Sequence, residues 1–125
     1  VGSEMCIRDR KYPDLHNMEQ LHRIRIKLKR FRYALQSVPE LSPEARLLRS
    51  LKYLQDMLGL LHDDYINTMM VEKLVAAHPK IQELRYEAAL FSGWEQAKAD
   101  AALEALPQQW EAFSSQLTEW KNKNL

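Results

Sequence analysis

Cysteine, glycine and long apolar runs are all scarce in this 125-residue chain. Cys6 is the only cysteine, which excludes an internal disulfide and any metal site built on paired cysteines. The chain has no glycine-rich phosphate loop and no nucleophile elbow. No apolar run approaches the roughly 20 residues that a membrane-spanning helix needs, and no charged-then-apolar secretory signal opens the chain. We therefore expect a cytoplasmic protein.

The predicted secondary structure is entirely helical, because apolar residues recur at three- and four-residue steps and strand-like alternation is missing. The first helix follows a turn, has Asp14 as its expected N-cap, and ends at Pro39. The second helix covers about 43–77, with Ser42 as its expected N-cap. Both helices carry a leucine-rich seam that is predicted to be core.

The chain after residue 79 is predicted to form one or two further helices. A third helix covers about 80–105, with Gly93-Trp94 as a candidate break. Pro107 is predicted to open a fourth, because proline is favoured at the first helical position. Short connections between amphipathic helices favour antiparallel packing. We therefore expect an all-α, antiparallel bundle of three to four helices over residues 13–125.

The first ten residues, VGSEMCIRDR, lack helical periodicity. They resemble translated read-through of a sequencing adapter, as found at the ends of some metagenomic reading frames. We therefore expect residues 1–12 to be a non-native or disordered segment, and we leave them out of the fold prediction.

Positive charge is concentrated in one short stretch, Leu21–Arg32, which reads LHRIRIKLKRFR. The stretch contains six Lys and Arg residues, one histidine and no acid. Neighbouring charges about 6 Å apart repel by roughly 2–3 kcal/mol at an effective dielectric near 20, before solvent screening. Residues 1–52 carry 12 Lys and Arg against 6 Asp and Glu, whereas residues 53–125 carry 6 against 11. This localised charge predicts one focused anion site.

Helical phase divides these charges into two groups. The group beside the apolar seam, called the α1 stripe below, consists of His22, Arg25, Lys29 and Arg32. The group on the opposite side, expected to be ordinary surface charge, consists of Arg23, Lys27 and Arg30. The second helix carries a matching row, called the α2 row, of Arg49, Lys52, Gln55, Gly59 and His62. If the stripe and the row face each other, they line one positive groove suited to a repeating anion such as a phosphate chain.

Two residues of the α2 row carry further expectations. Gly59 costs the helix about 1 kcal/mol relative to alanine, and it allows either a close backbone approach or a bend. His62 is expected to bind an anion more strongly when it is protonated, below about pH 6.5.

Two other functions use the same residues. A basic helix also suits nucleic acid or an acidic protein, although only Phe31 and Tyr33 are near the stripe for base stacking. His62-Asp63 could belong to a metal-dependent phosphohydrolase, but the remaining histidines show no ligand spacing with it. Asp63 and Asp64 are instead expected to pair with nearby arginines or to hold the basic row in place. We therefore expect no catalysis, no metal and no cofactor.

Two segments together resemble the CHAD domain, the conserved histidine α-helical domain. They are LHRIRIKLKRFRYAL at Leu21–Leu35 and LKYLQDMLGLLHD at Leu51–Asp63. The resemblance covers roughly residues 15–120. Its first motif corresponds to His22, Arg25, Lys29, Arg30 and Arg32, and its second to Gln55, Leu58, Gly59, His62 and Asp63.

The resemblance implies two similar helical bundles that bind inorganic polyphosphate in a basic groove without hydrolysing it. This chain has residues for one bundle, and the RY that ends its first motif resembles the C-terminal one. Pairing of two copies is one way to replace the missing bundle. Relatives often sit beside a CYTH triphosphate-tunnel domain, and some associate with polyphosphate or storage granules. The polyphosphate-binding residues expected on this basis are His22, Arg25, Lys29, Arg30, Arg32, Arg49, Lys52, Gln55 and His62.

Overall fold

The computed structural model describes residues 17–38, 40 and 44–125, and these residues contain helices and no strand. Three α-helices follow one another: α1 is Met18–Ser37, α2 is Ala45–Ala77 and α3 is Gln82–Asn124. Adjacent helices run antiparallel, with a tight turn at residues 78–81 between α2 and α3. The predicted all-α bundle is confirmed, with three helices.

The start of α1 is fixed by a side-chain cap. The Oδ1 atom of Asn17 accepts a hydrogen bond from the backbone N–H of Gln20 at 3.0 Å, which satisfies one of the unpaired N–H groups of the first turn. The helix therefore begins at Met18. The prediction that Asp14 caps it is wrong, and Asp14 itself lies outside the described residues.

The boundary between α1 and α2 agrees with the predicted one within two residues. Helix α1 ends at Ser37, just before Pro39, which cannot continue the ladder of helical hydrogen bonds. Helix α2 begins at Ala45 after Glu44, whose side chain makes no capping bond. The predicted cap, Ser42, lies outside the described residues.

Helix α3 is one helix of 43 residues, so the predicted break at Gly93-Trp94 and the predicted fourth helix at Pro107 are both wrong. Proline inside a helix costs about 3 kcal/mol because it removes a hydrogen bond and crowds the preceding turn. An apolar seam continues in phase on both sides of it: Ala99, Ala102, Leu106, Trp110, Phe113 and Leu117 are buried. Burying each large side chain contributes about 1.5–3 kcal/mol, so several of them outweigh one proline.

All three helices share one hydrophobic core. The α1 and α2 seams meet in it, through Leu21, Ile24, Leu28, Leu35, Leu47, Leu51, Leu54, Met57, Leu58 and Leu61. Helix α1 also contacts α3, because Phe31 packs edge-on against Trp120 with ring centroids 6.1 Å apart. An exposed ion pair joins Arg46 of α2 to Glu119 of α3 and adds little stability.

The helices differ in length, which leaves part of the α2–α3 hairpin uncovered by α1. At 1.5 Å per residue, α1 is about 30 Å long, α2 about 50 Å and α3 about 65 Å. Beyond the start of α1 the hairpin exposes large apolar side chains, including Met70, Leu74, Tyr86 and Leu90. Among the described helices, none combines the length and the apolar character needed to cross a membrane.

Candidate anion-binding site

The α1 stripe meets the α2 row along the seam between the two helices. Nη1 of Arg32 donates a hydrogen bond to Oε1 of Gln55 at 2.9 Å. About two turns away, Nε of Arg25 lies 3.8 Å from the position that a Cβ atom on Gly59 would occupy. The guanidinium of Arg25 therefore lies beside α2 at Gly59, at a distance that an alanine side chain there would also allow.

A pair of stacked imidazoles lies one turn beyond Arg25. The rings of His22 and His62 have centroids 4.8 Å apart and planes 20° apart, and Nδ1 of His22 is buried without a hydrogen-bond partner. Burial lowers the pKa of His62 below its ordinary value, and the charges of His22 and Arg25 lower it further, while Asp63 opposes them. His62 therefore takes up its charge at a lower pH than a free imidazole does, mainly because burial disfavours the charged ring.

An open cleft of about 620 Å³ runs beside this seam, and all three helices line it. Its cationic residues are Arg25, Lys29 and Arg32 from α1 and Lys98 from α3. Its acidic residues are Asp56 and Asp63 from α2 and Glu95 from α3. The cleft is thus positive along α1, acidic along α2, and lined by one acid and one cation along α3, so an anion would be drawn to the α1 side.

The predicted site residues divide into two sets. Those that line the cleft are Arg25, Lys29, Arg32 and Gln55. Those outside the lining are the stacked pair His22 and His62, and Arg30, Arg49 and Lys52. Lys52 is exposed, and its Nζ lies 3.8 Å from a carboxylate oxygen of Asp56 one turn further along α2.

The two aspartates that follow His62 do not make the ion pairs predicted for them. Among the described residues, neither Asp63 nor Asp64 pairs with an arginine. The alternative, that they hold the basic row in place, stays a prediction. Burial raises the pKa of Asp64, the carboxylate of Glu95 raises it further, and Lys98 partly opposes both. Oδ1 of Asp64 is buried without a hydrogen-bond partner. Asp64 is therefore a weaker acid than an exposed aspartate.

Sequence reasoning missed the contribution of α3 to the cleft. Lys98 and Glu95 line it, and Tyr33 of α1 adds an exposed aromatic ring. The available signal was the spacing of Trp94 and Lys98, which places an aromatic ring and a cation on neighbouring turns of one helix face. Over the ranges that the structure describes, no three His, Cys, Asp or Glu side chains are grouped closely enough to hold a metal ion.

Comparison with protein families gives a match to the CHAD domain over residues 3–72, more than half of the chain. The chain belongs to the CHAD domain family. CHAD domains are helical, non-catalytic binding modules associated with polyphosphate. The match includes α1 and most of α2, begins within the segment set aside above, and ends before α3, whereas the predicted resemblance covered residues 15–120. Comparisons with curated proteins and with solved structures gave no match.

The open space beside Gly59 leads to a prediction. Gly59→Ala is expected to raise the free energy of unfolding by about 1 kcal/mol, because its Cβ would meet Arg25 at an ordinary contact distance. Urea unfolding measures the change. Gly93→Ala is the matched control, since nothing lies near its Cβ position. Destabilisation in Gly59→Ala alone would contradict the prediction and show that Arg25 packs too closely on α2 to admit a side chain there.

Proposed function

We propose that this CHAD domain binds inorganic polyphosphate in the cleft that α1, α2 and α3 line, without hydrolysing it. The observation that supports this most directly is the set of three cations, Arg25, Lys29 and Arg32, that α1 presents along one side of the cleft. They stand at steps of four and three residues, so they repeat at about one helical turn. A chain of linked phosphates repeats its charge in the same way and can contact all three.

The three cations differ in how firmly they are held. Arg32 is half-buried and hydrogen-bonded to Gln55, and Arg25 is half-buried over Gly59. Their guanidinium groups are therefore preorganised to donate paired hydrogen bonds to phosphate oxygens. Lys29 is exposed and acts as a mobile point charge. Gln55 supports binding by holding Arg32 in place.

The acidic side chains of the cleft favour a long anion over a single phosphate. Asp56 and Asp63 repel any anion that approaches from the α2 side, so a single phosphate gains little. A polyphosphate chain that follows α1 makes several cationic contacts at once, and each further contact adds to its affinity. Binding should therefore strengthen with chain length and weaken steeply with added salt.

Thermal unfolding with and without long-chain polyphosphate tests the proposal. At a free ligand concentration about 100 times the dissociation constant, binding to the folded state alone raises the free energy of unfolding by about 2.7 kcal/mol. The melting temperature should rise accordingly, and the same mixture should release no orthophosphate when Mg²⁺ is added. An unchanged melting temperature in a large excess of long-chain polyphosphate would refute the proposal.

Nucleic-acid binding is the second candidate, and the exposed ring of Tyr33 in the cleft favours it. One aromatic side chain among the cations gives a base a single surface on which to stack, whereas single-strand binding proteins use several. Competition distinguishes the two ligands. If single-stranded DNA displaces polyphosphate at equal phosphate concentration, the cleft is a general polyanion site.

A further inference from the structure

Lys98 on α3 is a cation fixed in place on the side of the cleft away from α1. Its Nζ lies 3.1 Å from Oε1 of Glu95 and 3.8 Å from the centroid of the Trp94 ring. The side chain of Glu95 is only 6% exposed, whereas that of Lys98 is 39% exposed. The ammonium group of Lys98 therefore lies between the buried carboxylate of Glu95 and the open cleft, which both residues line.

This arrangement removes much of the usual freedom of a lysine side chain. A buried carboxylate is costly without a partner, so Glu95 holds the ammonium close. The face of the Trp94 ring attracts the same ammonium through a cation–π interaction. An ammonium group has three N–H donors, and one of them suffices for Glu95. The remaining donors can reach an anion in the cleft without breaking the ion pair.

We propose that Lys98 contacts polyphosphate from the α3 side of the cleft and that Glu95 and Trp94 are its positioning residues. This inference rests on the proposed function of the cleft. It makes the site two-sided: Arg25 and Arg32 hold one part of the ligand from α1, and Lys98 holds another from α3. A condensed phosphate offers several phosphate groups, so different groups can contact the two sides at once.

Binding of tripolyphosphate and of long-chain polyphosphate to Lys98→Met tests the contact, with Lys80→Met as the matched control. Lys80 is an exposed lysine in the turn between α2 and α3, so both variants lose one positive charge. Lys98→Met should weaken binding by about two- to fivefold, as loss of one screened charged contact does. The slope of log affinity against log salt should also fall by roughly 0.7, the value per contact for flexible single strands. Lys80→Met should change neither quantity, and Lys98→Arg should retain most of the affinity.

Two further measurements separate a ligand contact from a structural role. Lys98→Met leaves Glu95 buried without its partner and adds a net negative charge to this side of the cleft. The double variant Lys98→Met/Glu95→Gln removes both charges and keeps this side neutral. It should lose as much polyphosphate affinity as Lys98→Met does. Polyphosphate should also change the tryptophan fluorescence, because a ligand on Lys98 alters the charge over the exposed Trp94 ring. That change should disappear in both Trp94→Phe and Lys98→Met.

The outcomes distinguish this inference from the proposed function. If the wild-type protein binds polyphosphate and Lys98→Met binds it with the affinity and salt slope of Lys80→Met, Lys98 is no contact and the α1 side alone forms the site. If the wild-type protein does not bind, both proposals are overturned. A fluorescence change that persists in Lys98→Met would also contradict the role of Lys98.

Discussion

Arg25→Glu/Arg32→Glu is expected to abolish polyphosphate binding, with affinity falling by more than about 100-fold. Each charge-assisted hydrogen bond contributes about 1.5–3 kcal/mol, and two of them correspond to at least about two orders of magnitude in affinity. Reversal also places two carboxylates beside Lys29, where they repel the ligand. Isothermal titration calorimetry with long-chain polyphosphate measures the loss, and circular dichroism verifies that the helices remain.

The matched control for this variant is Arg23→Glu/Arg30→Glu. It changes the net charge equally and on the same helix, but both arginines are exposed and neither lines the cleft. Only long-range attraction should be lost, so affinity should fall a few-fold at low salt and less at physiological salt. The control also tests Arg30, which the CHAD resemblance places among the binding residues. Equal losses in the two variants would indicate a diffuse basic surface and contradict the cleft.

Phe113→Ala is expected to reduce the free energy of unfolding by about 3–5 kcal/mol, the usual cost of truncating a fully buried phenylalanine. Phe113 is 1% exposed and packs beside Trp110, with ring centroids 6.1 Å apart. The loss measures how firmly α3 is held to the core after Pro107. Urea unfolding followed by far-ultraviolet circular dichroism gives the value.

Phe91→Ala is the comparison for Phe113→Ala. Phe91 is half-buried in the hairpin that α1 does not cover, so its truncation should cost less than half as much. A loss below about 1 kcal/mol in Phe113→Ala would contradict the packing of α3 on the core after Pro107.

The sequence predicts α1, α2 and their mutual contacts because both helices carry their apolar and cationic residues in register. Arg32 meets Gln55, Arg25 meets Gly59, and the two predicted histidines stack. The prediction is less accurate at the start of the α2 row, where Arg49 and Lys52 do not line the cleft. Since Arg32 pairs with Gln55, Lys52 and Arg49 lie about one and two turns before this contact, towards the start of α2 and the end of α1.

The prediction fails along α3 because local preferences there oppose long-range packing. Gly93 and Pro107 both favour a break, and no local rule weighs them against a seam whose partners lie elsewhere in the chain. Once a break is assumed, the helical phase cannot be carried from Trp110 back to Lys98. For that reason the sequence does not predict that Lys98 and its buried partner, Glu95, line the cleft from α3.

The continuity of α3 across Pro107 has a mechanical consequence. Lys98 and Phe113 belong to one rod, about 22 Å apart at 1.5 Å per residue. A tilt of about 5° at the core end would move Lys98 by roughly 2 Å, enough to open or close an ionic contact with a ligand held on α1. Under the proposed function, ligand affinity can therefore be retuned by substitutions in the core, at positions that no ligand ever touches.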